Sequence, residues 1–250
     1  MAITIKSERE IELMAEAGKI LERVHNELEK ALHPGMSTKD IDTLGEEIIR
    51  SYGCIPSFLN YNGYPASICV SVNQEVVHGI PDKHRIIHEG DIVSLDAGLI
   101  YKGYHSDAAR THAVGEVSEE AKKLIQVTKE CFFEGIKYAK AGNHLFDISG
   151  AIGRYAEERG YGVVRDLCGH GIGTALHEAP EIPNYEVGRK GVKLRLAIEP
   201  MINIGTYEVD WLDDDWTVVT RDGSLSAHYE NTILITEGEP RILSLTCDNE

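Results

Sequence analysis

Four acidic residues stand where strands should be apolar. Asp96 ends the run Ile92-Val93-Ser94-Leu95, and Asp107 follows the turn Lys102-Gly103-Tyr104 eleven residues later. That spacing suits a β-hairpin that brings both carboxylates to one place. Glu199 interrupts the apolar run 196–202, and Glu230 interrupts the run 228–234. A buried carboxylate is costly unless it is paired or coordinated. Any one of the four could be an edge residue. Four together need positive charge, and no matching set of Lys or Arg accompanies them. Divalent cations answer that need: carboxylates with an imidazole suit Mn, Fe, Co or Zn, and two ions about 3.5–4 Å apart are a common clamp for hydrolysis.

The imidazole comes from Cys168-Gly169-His170-Gly171-Ile172-Gly173, where flanking glycines permit close backbone approach. His177, next to Glu178, is a second candidate, and His78 in His78-Gly79-Ile80-Pro81 is a third. The other eight histidines, His228 among them, lack that glycine-rich context and read as ordinary polar residues. The aromatic stretch from Phe58 through Tyr61 and Tyr64 to Pro65 reads as a loop. It either packs over a sheet edge or, with Cys69 and Trp216, walls a pocket. A P-loop, a G-x-S-x-G elbow and paired-cysteine zinc signatures are absent from the sequence.

Helices and strands must position these groups. Ser7 and Glu10 form an S-x-x-E capping box ahead of a stripe from Ile11 to Leu32, predicting a helix over 7–32. Further helices are expected over 38–51, 118–140 and 145–159. Gly35, Asp40-Ile41 and Gly53 match Gly142, Asp147-Ile148 and Gly160 at one offset of 107 residues, which suggests a duplicated helix–helix unit. Strands are expected over 67–72, 91–97, 98–101 and 108–114 in the first half. In the second they are expected over 163–165, 194–199, 201–204, 217–220 and 229–236. Helices set apart from antiparallel strands predict an α+β fold. The reading is one domain, 1–250, with related halves of about 1–115 and 116–245 and a polar tail, 246–250.

Composition narrows the class. The 250 residues carry 25 Lys+Arg against 41 Asp+Glu, a formal charge of −16, which argues against a general nucleic-acid binder. With 42% hydrophobic and 26% charged residues, the chain has the make-up of a globular domain. No apolar run is long enough for a membrane span, and the start MAITIKSERE lacks the pattern of a secretory signal. Five cysteines with no C-x-x-C pair predict free thiols in a reducing cytoplasm.

Taken together these stretches resemble the type I methionine aminopeptidases over nearly the whole chain. The resemblance is carried by NYNGYPASICVS (60–71), VHGIP (77–81), GDIVSLD (90–96), CGHGIG (168–173), His177-Glu178, IEPMIN (198–203) and WTVVTRDGSLSAHYENT (216–232). It implies the pita-bread fold with pseudo-two-fold symmetry, in a cytoplasmic and mostly monomeric enzyme. It also implies that Asp96, Asp107, His170, Glu199 and Glu230 hold two divalent ions (Co, Mn, Fe or Zn), with Asp107 and Glu230 bridging. Glu199 would pass the proton, His177 would donate to the oxyanion and His78 would hold the scissile amide. Phe58, Tyr61, Tyr64, Cys69, Leu176 and Trp216 would line the methionine pocket. The implied substrates are nascent polypeptides and peptides whose second residue is small.

The chain also departs from the family. About four residues of a Pro-Gly-Met-like turn are missing before Glu199. Leu176 stands where Phe is frequent, and Asp215 where Gly is frequent. The basic cluster Arg189, Lys190, Lys193 and Arg195 reads first as a solvated loop; by resemblance it could touch the ribosome near the nascent-chain exit. Two rival readings stand against this one. A proline-specific peptidase is disfavoured because the extra N-terminal domain of that group is not expected here. A catalytically dead binding module is disfavoured because all five ligand positions are filled.

Overall fold

A computed structural model describes residues 5–191 and 199–245. Four helices form where the capping signals place them. Ser7 accepts from the Glu10 N–H while the Glu10 carboxylate takes the Ser7 N–H at 2.7 Å, starting α1 (Glu8–Ala31). Ser37 and Asp40 repeat that exchange at α2 (Thr38–Ser51). Ser118 caps α3 (Glu119–Ile136). The Asp147 carboxylate accepts the His144 N–H at 2.8 Å to start α4 (Leu145–Glu157). Helix α3 stops short of the expected residue 140. The chain turns at Tyr138, and Ala141 N–H donates instead to Thr236 across the fold. The positions related by 107 residues share backbone roles: Gly35 and Gly142 have φ of 95° and 98°, and Asp40 and Asp147 both sit at the third position of their helices.

The strands of the first half are β1 (Ile55–Pro56), β2 (Ile68–Val72), β3 (Glu75–Val77), β4 (Ile92–Tyr101) and β5 (Tyr104–Ala113). The expected strands 91–97 and 98–101 are one continuous strand, β4. The break comes later, where Lys102 and Gly103 take positive φ in a two-residue hairpin turn. In the β4–β5 hairpin Asp96 faces Ala109 and Gly98 faces Asp107. Both carboxylates therefore sit mid-strand on one face, not at strand ends as the sequence suggested. On its other edge β4 pairs with β2, where Cys69 faces Asp96, and with β1. Helices α1 and α2 cover this sheet, burying Leu21, Leu28, Ile41, Ile49, Ile68 and Leu95.

The second half holds β6 (Gly162–Val163), β7 (Gly169–Gly171), β8 (Glu178–Ile182), β9 (Met201–Asn203), β10 (Val209–Trp211), β11 (Val218–Thr220), β12 (Ser226–His228), β13 (Ile233–Leu234) and β14 (Arg241–Ile242). All these strand pairs are antiparallel. Helices α3 and α4 pack Leu124, Phe132, Ile148 and Ile152 against Ile202 of β9 and Ala227 of β12. The architecture is α+β, as expected. The expected strand 194–199 lies outside the described residues up to Glu199, as do Lys193, Arg195, Cys247 and the tail. The expected strand 229–236 is shortened to β13, because residues before it run beside β5 instead. Ala109 and Glu230 exchange N–H···O bonds at 3.3 and 3.0 Å, and Thr232 N–H donates to the Asp107 carbonyl at 3.1 Å. That seam joins the two halves and sets Glu230 next to Asp107.

Candidate metal centre

Glycine makes the space in which the acids meet. A Cβ on Gly98 would lie 2.8 Å from the Phe58 ring and 3.2 Å from Asp107 Oδ1. A Cβ on Gly169 would lie 3.2 Å from Glu199 Cγ. Around this space one cavity of about 160 Å³ is bordered by Asp96, Asp107, His170, Glu199 and Glu230 at one end. Phe58, Tyr61, Tyr64, Cys69, Leu176 and Trp216 form the wall, with His78 and His177 alongside. Every site residue named from the sequence borders it, and Asn62 joins them. A larger cavity of about 340 Å³ lies by Ile11 and Leu243, but it has no comparable convergence of acids and imidazoles.

Ligand atoms of Asp107, His170 and Glu230 lie within 4.8 Å of one another. A second group with the same spacing joins Glu199 and Glu230 to His228, a residue that sequence reading passed over. The available signal was alternation: His228 stands two residues before Glu230, which places both side chains on one face of an extended segment. Asp96 belongs to neither tight group, although it borders the same cavity.

Metal-free, this arrangement is electrostatically costly. Burial pushes Asp96 up to about 7. Asp107 is raised well above the usual carboxylate range by burial and then by Glu230 and Asp96. Glu199 and Glu230 are raised in the same way, by burial first and then by neighbouring acids. Sequence reading found no basic companion, yet Arg110 stands behind Glu230. It donates to the Glu230 carbonyl and to Asn231 Oδ1, and its charge draws the Glu230 carboxyl partly back down. Asp96 Oδ1 and Asp107 Oδ1 are buried with no hydrogen-bond partner among the described residues. Four clustered carboxylates with orphaned oxygens fit divalent cations.

The imidazoles are set for matching roles. His170 Nδ1 lies 2.9 Å from the Gly171 carbonyl. Donation there leaves Nε2 bare, 3.5 Å from Glu199 Oε1 and 4.0 Å from Asp107 Oδ2. Burial, and then His177, lowers His170 to about 4, so it is neutral near pH 7. Burial and His177 likewise bring His78 to about 4. His177 Nδ1 is 2.7 Å from the Tyr61 hydroxyl, and its ring centroid is 4.0 Å from that of His170. Glu178 steadies the His177 loop: its carboxylate accepts from Thr174 N–H at 2.9 Å and pairs with Lys6 at 2.5 Å. In the wall Tyr64 donates to the Gly79 carbonyl at 2.9 Å and meets Trp216 edge-on at 5.1 Å. Asp215, beside Trp216, has φ of 63°, a left-handed conformation that favours glycine.

Buried acids around an imidazole with a bare nitrogen, at one end of an apolar cavity, define a metal-dependent hydrolase site. The chain belongs to metallopeptidase family M24, whose model matches residues 12–237. It is 58% identical over 247 residues to a methionine aminopeptidase of Clostridium acetobutylicum, covering 97% of this chain and 99% of that protein. The solved methionine aminopeptidase of Thermotoga maritima is 46% identical with a TM-score of 0.95, covering 98% of this chain and all of that one. An Xaa-Pro dipeptidase of Bacillus anthracis shares the fold at a TM-score of 0.76 and 26% identity, with 62% of its length covered. The α+β architecture is thus the pita-bread fold of these peptidases.

Proposed function

We propose that this chain removes the N-terminal methionine from polypeptides and peptides whose second residue is small. The observation that carries this reading is the meeting of four carboxylates and His170 at one end of an apolar cavity of about 160 Å³. A space of that size takes one side chain, and a wall of Tyr64, Cys69 and Trp216 suits a polarisable thioether.

Asp96, Asp107, His170, Glu199 and Glu230 would hold two divalent cations, from among Co, Mn, Fe and Zn. Cations held there supply Lewis acidity and make water a ready nucleophile near neutral pH. Glu199 accepts the proton of the attacking water and passes it to the departing amine. His177, with Tyr61 donating to Nδ1, presents an Nε2–H to the developing oxyanion. His78, across the cavity near Trp216, holds the scissile amide. Phe58 and Leu176 close the wall, and a closed wall restricts cleavage to a chain end.

The setting we infer is cytoplasmic, with a monomer acting on nascent N-termini. No described helix is long and apolar enough to cross a membrane. Arg189 and Lys190 would make any ribosome contact transient and salt-sensitive.

The test compares Met-Ala-Ser, Met-Lys-Ser and an Ala-Pro dipeptide, with divalent metal added and with a chelator. Methionine should be released from Met-Ala-Ser far faster than from Met-Lys-Ser, and only with metal. Equal turnover of both sinks the specificity. Preference for Ala-Pro would make the chain a proline-specific peptidase.

A further inference from the structure

Two imidazoles flank Glu199. His170 Nε2 lies 3.5 Å from Oε1, and His228 Nε2 lies 3.8 Å from Oε2. His228 is 2% exposed, and neither of its ring nitrogens has a hydrogen-bond partner among the described residues. A neutral imidazole carries one N–H donor and one acceptor nitrogen, and leaving both unmatched in the interior is costly.

The backbone holds that ring in place. His228 N–H donates to Thr111 Oγ1 at 2.9 Å, and its carbonyl accepts from the same hydroxyl at 3.0 Å. His228 also faces Met201 in the β9–β12 register. It further borders a cavity of about 290 Å³, together with His25, Arg110 and His112. The residue thus stands between that rear cavity and the carboxylate of Glu199.

Resting on the reading of Glu199 as a metal ligand, we propose that His228 is a positioning residue for Glu199. Its Nε2–H donates to Oε2, which leaves Oε1, the oxygen on the His170 side, for the cation. The terminal torsion of a glutamate is soft, so a small rotation closes 3.8 Å to hydrogen-bond length. Ligation through Nε2 is disfavoured, because it would put the proton on Nδ1, which has no partner. Fixing one oxygen of a ligating carboxylate orders the other, and losing such a partner commonly weakens metal affinity by roughly 10–100-fold.

The experiment titrates cobalt(II) into chelator-treated wild type, His228→Gln and His228→Leu by calorimetry and records the visible cobalt spectrum of each. Gln keeps a donor at the reach of Nε2, whereas Leu keeps none. The Leu variant should bind cobalt roughly 10–100-fold more weakly, with Gln close to wild type in affinity and spectrum. Unchanged binding by Leu overturns the proposal. Equal weakening in Gln and Leu with an altered spectrum also overturns it, by making His228 a direct ligand. Wild type that binds no cobalt defeats the metal-centre reading itself. Should the Leu variant not fold, ¹⁵N-histidine spectra of zinc-loaded wild type decide, with the His228 signal identified by its loss in the Gln variant. A proton on Nε2 supports the proposal, and a bare Nε2 refutes it.

Discussion

Asp96→Asn tests whether the acids are held together against their own electrostatics. In the folded protein burial lifts the Asp96 carboxyl to about 7 from 3.8. The folded state therefore holds a proton that the unfolded chain has released. Below about pH 4 both states are protonated and no penalty exists. Stability then falls as pH rises, until the folded carboxyl ionises near pH 7, and stays low above that. The gap is about three decades of proton affinity at about 1.4 kcal/mol each, so the loss is on the order of 4 kcal/mol by pH 8. More than half of it develops between pH 5 and pH 8. Asparagine has a similar shape and no such proton. Chelator-treated Asp96→Asn should therefore be more stable than chelator-treated wild type by roughly 2–4 kcal/mol at pH 8, with the difference shrinking by pH 5. Urea unfolding followed by circular dichroism at pH 5, 6, 7 and 8 reads it. Saturating divalent metal should reverse the order, since it binds the folded wild type through the group that Asn lacks. A difference that is absent, or constant across that range, refutes the reasoning.

Three further outcomes follow from single contacts. Tyr61→Phe removes the hydroxyl 2.7 Å from His177 Nδ1 and frees that ring to change tautomer, so kcat should fall about 10-fold. His177→Ala should lower it by roughly 10²–10⁴. Elemental analysis should find metal content unchanged in both variants, and a loss of metal would show that His177 acts structurally. Gly18→Ala would drive a Cβ into the carbonyl oxygen of Leu243, where α1 meets the chain just before Ser244. A loss of roughly 1–3 kcal/mol is expected, seen as a lower Tm with activity kept at low temperature.

Much of this molecule is legible in its sequence. The helices were legible because caps are local: Ser7 with Glu10 and Ser37 with Asp40 announce a start within four residues. The acids were legible because a charge inside an apolar run is conspicuous. What escaped was non-local. Gly98 looks like a strand end, yet it is an interior residue left without a side chain so that Phe58 and Asp107 can fit. The segment around Glu230 looks like a long strand, yet its partner is β5 for a few residues only. Arg110 carried no local mark because its significance lies in which main chain comes to face it, and the only mark on His228 was its two-residue spacing from Glu230. Asp215 stood out as a departure from a frequent glycine, and its φ of 63° supplies the reason that glycine is common there.

The reciprocal bonds between Ala109 and Glu230 have a consequence for how the protein meets its ions. The main chain presses Asp107 and Glu230 into neighbourhood before any cation arrives. The repulsion is underwritten by folding, so the cage is shaped in advance and not drawn in around its guest. A receptacle furnished with oxygen and imidazole suits several first-row metals of similar radius by ligand type, so its fixed shape is the lever left for choosing among them. Which element occupies it then turns in part on cellular supply.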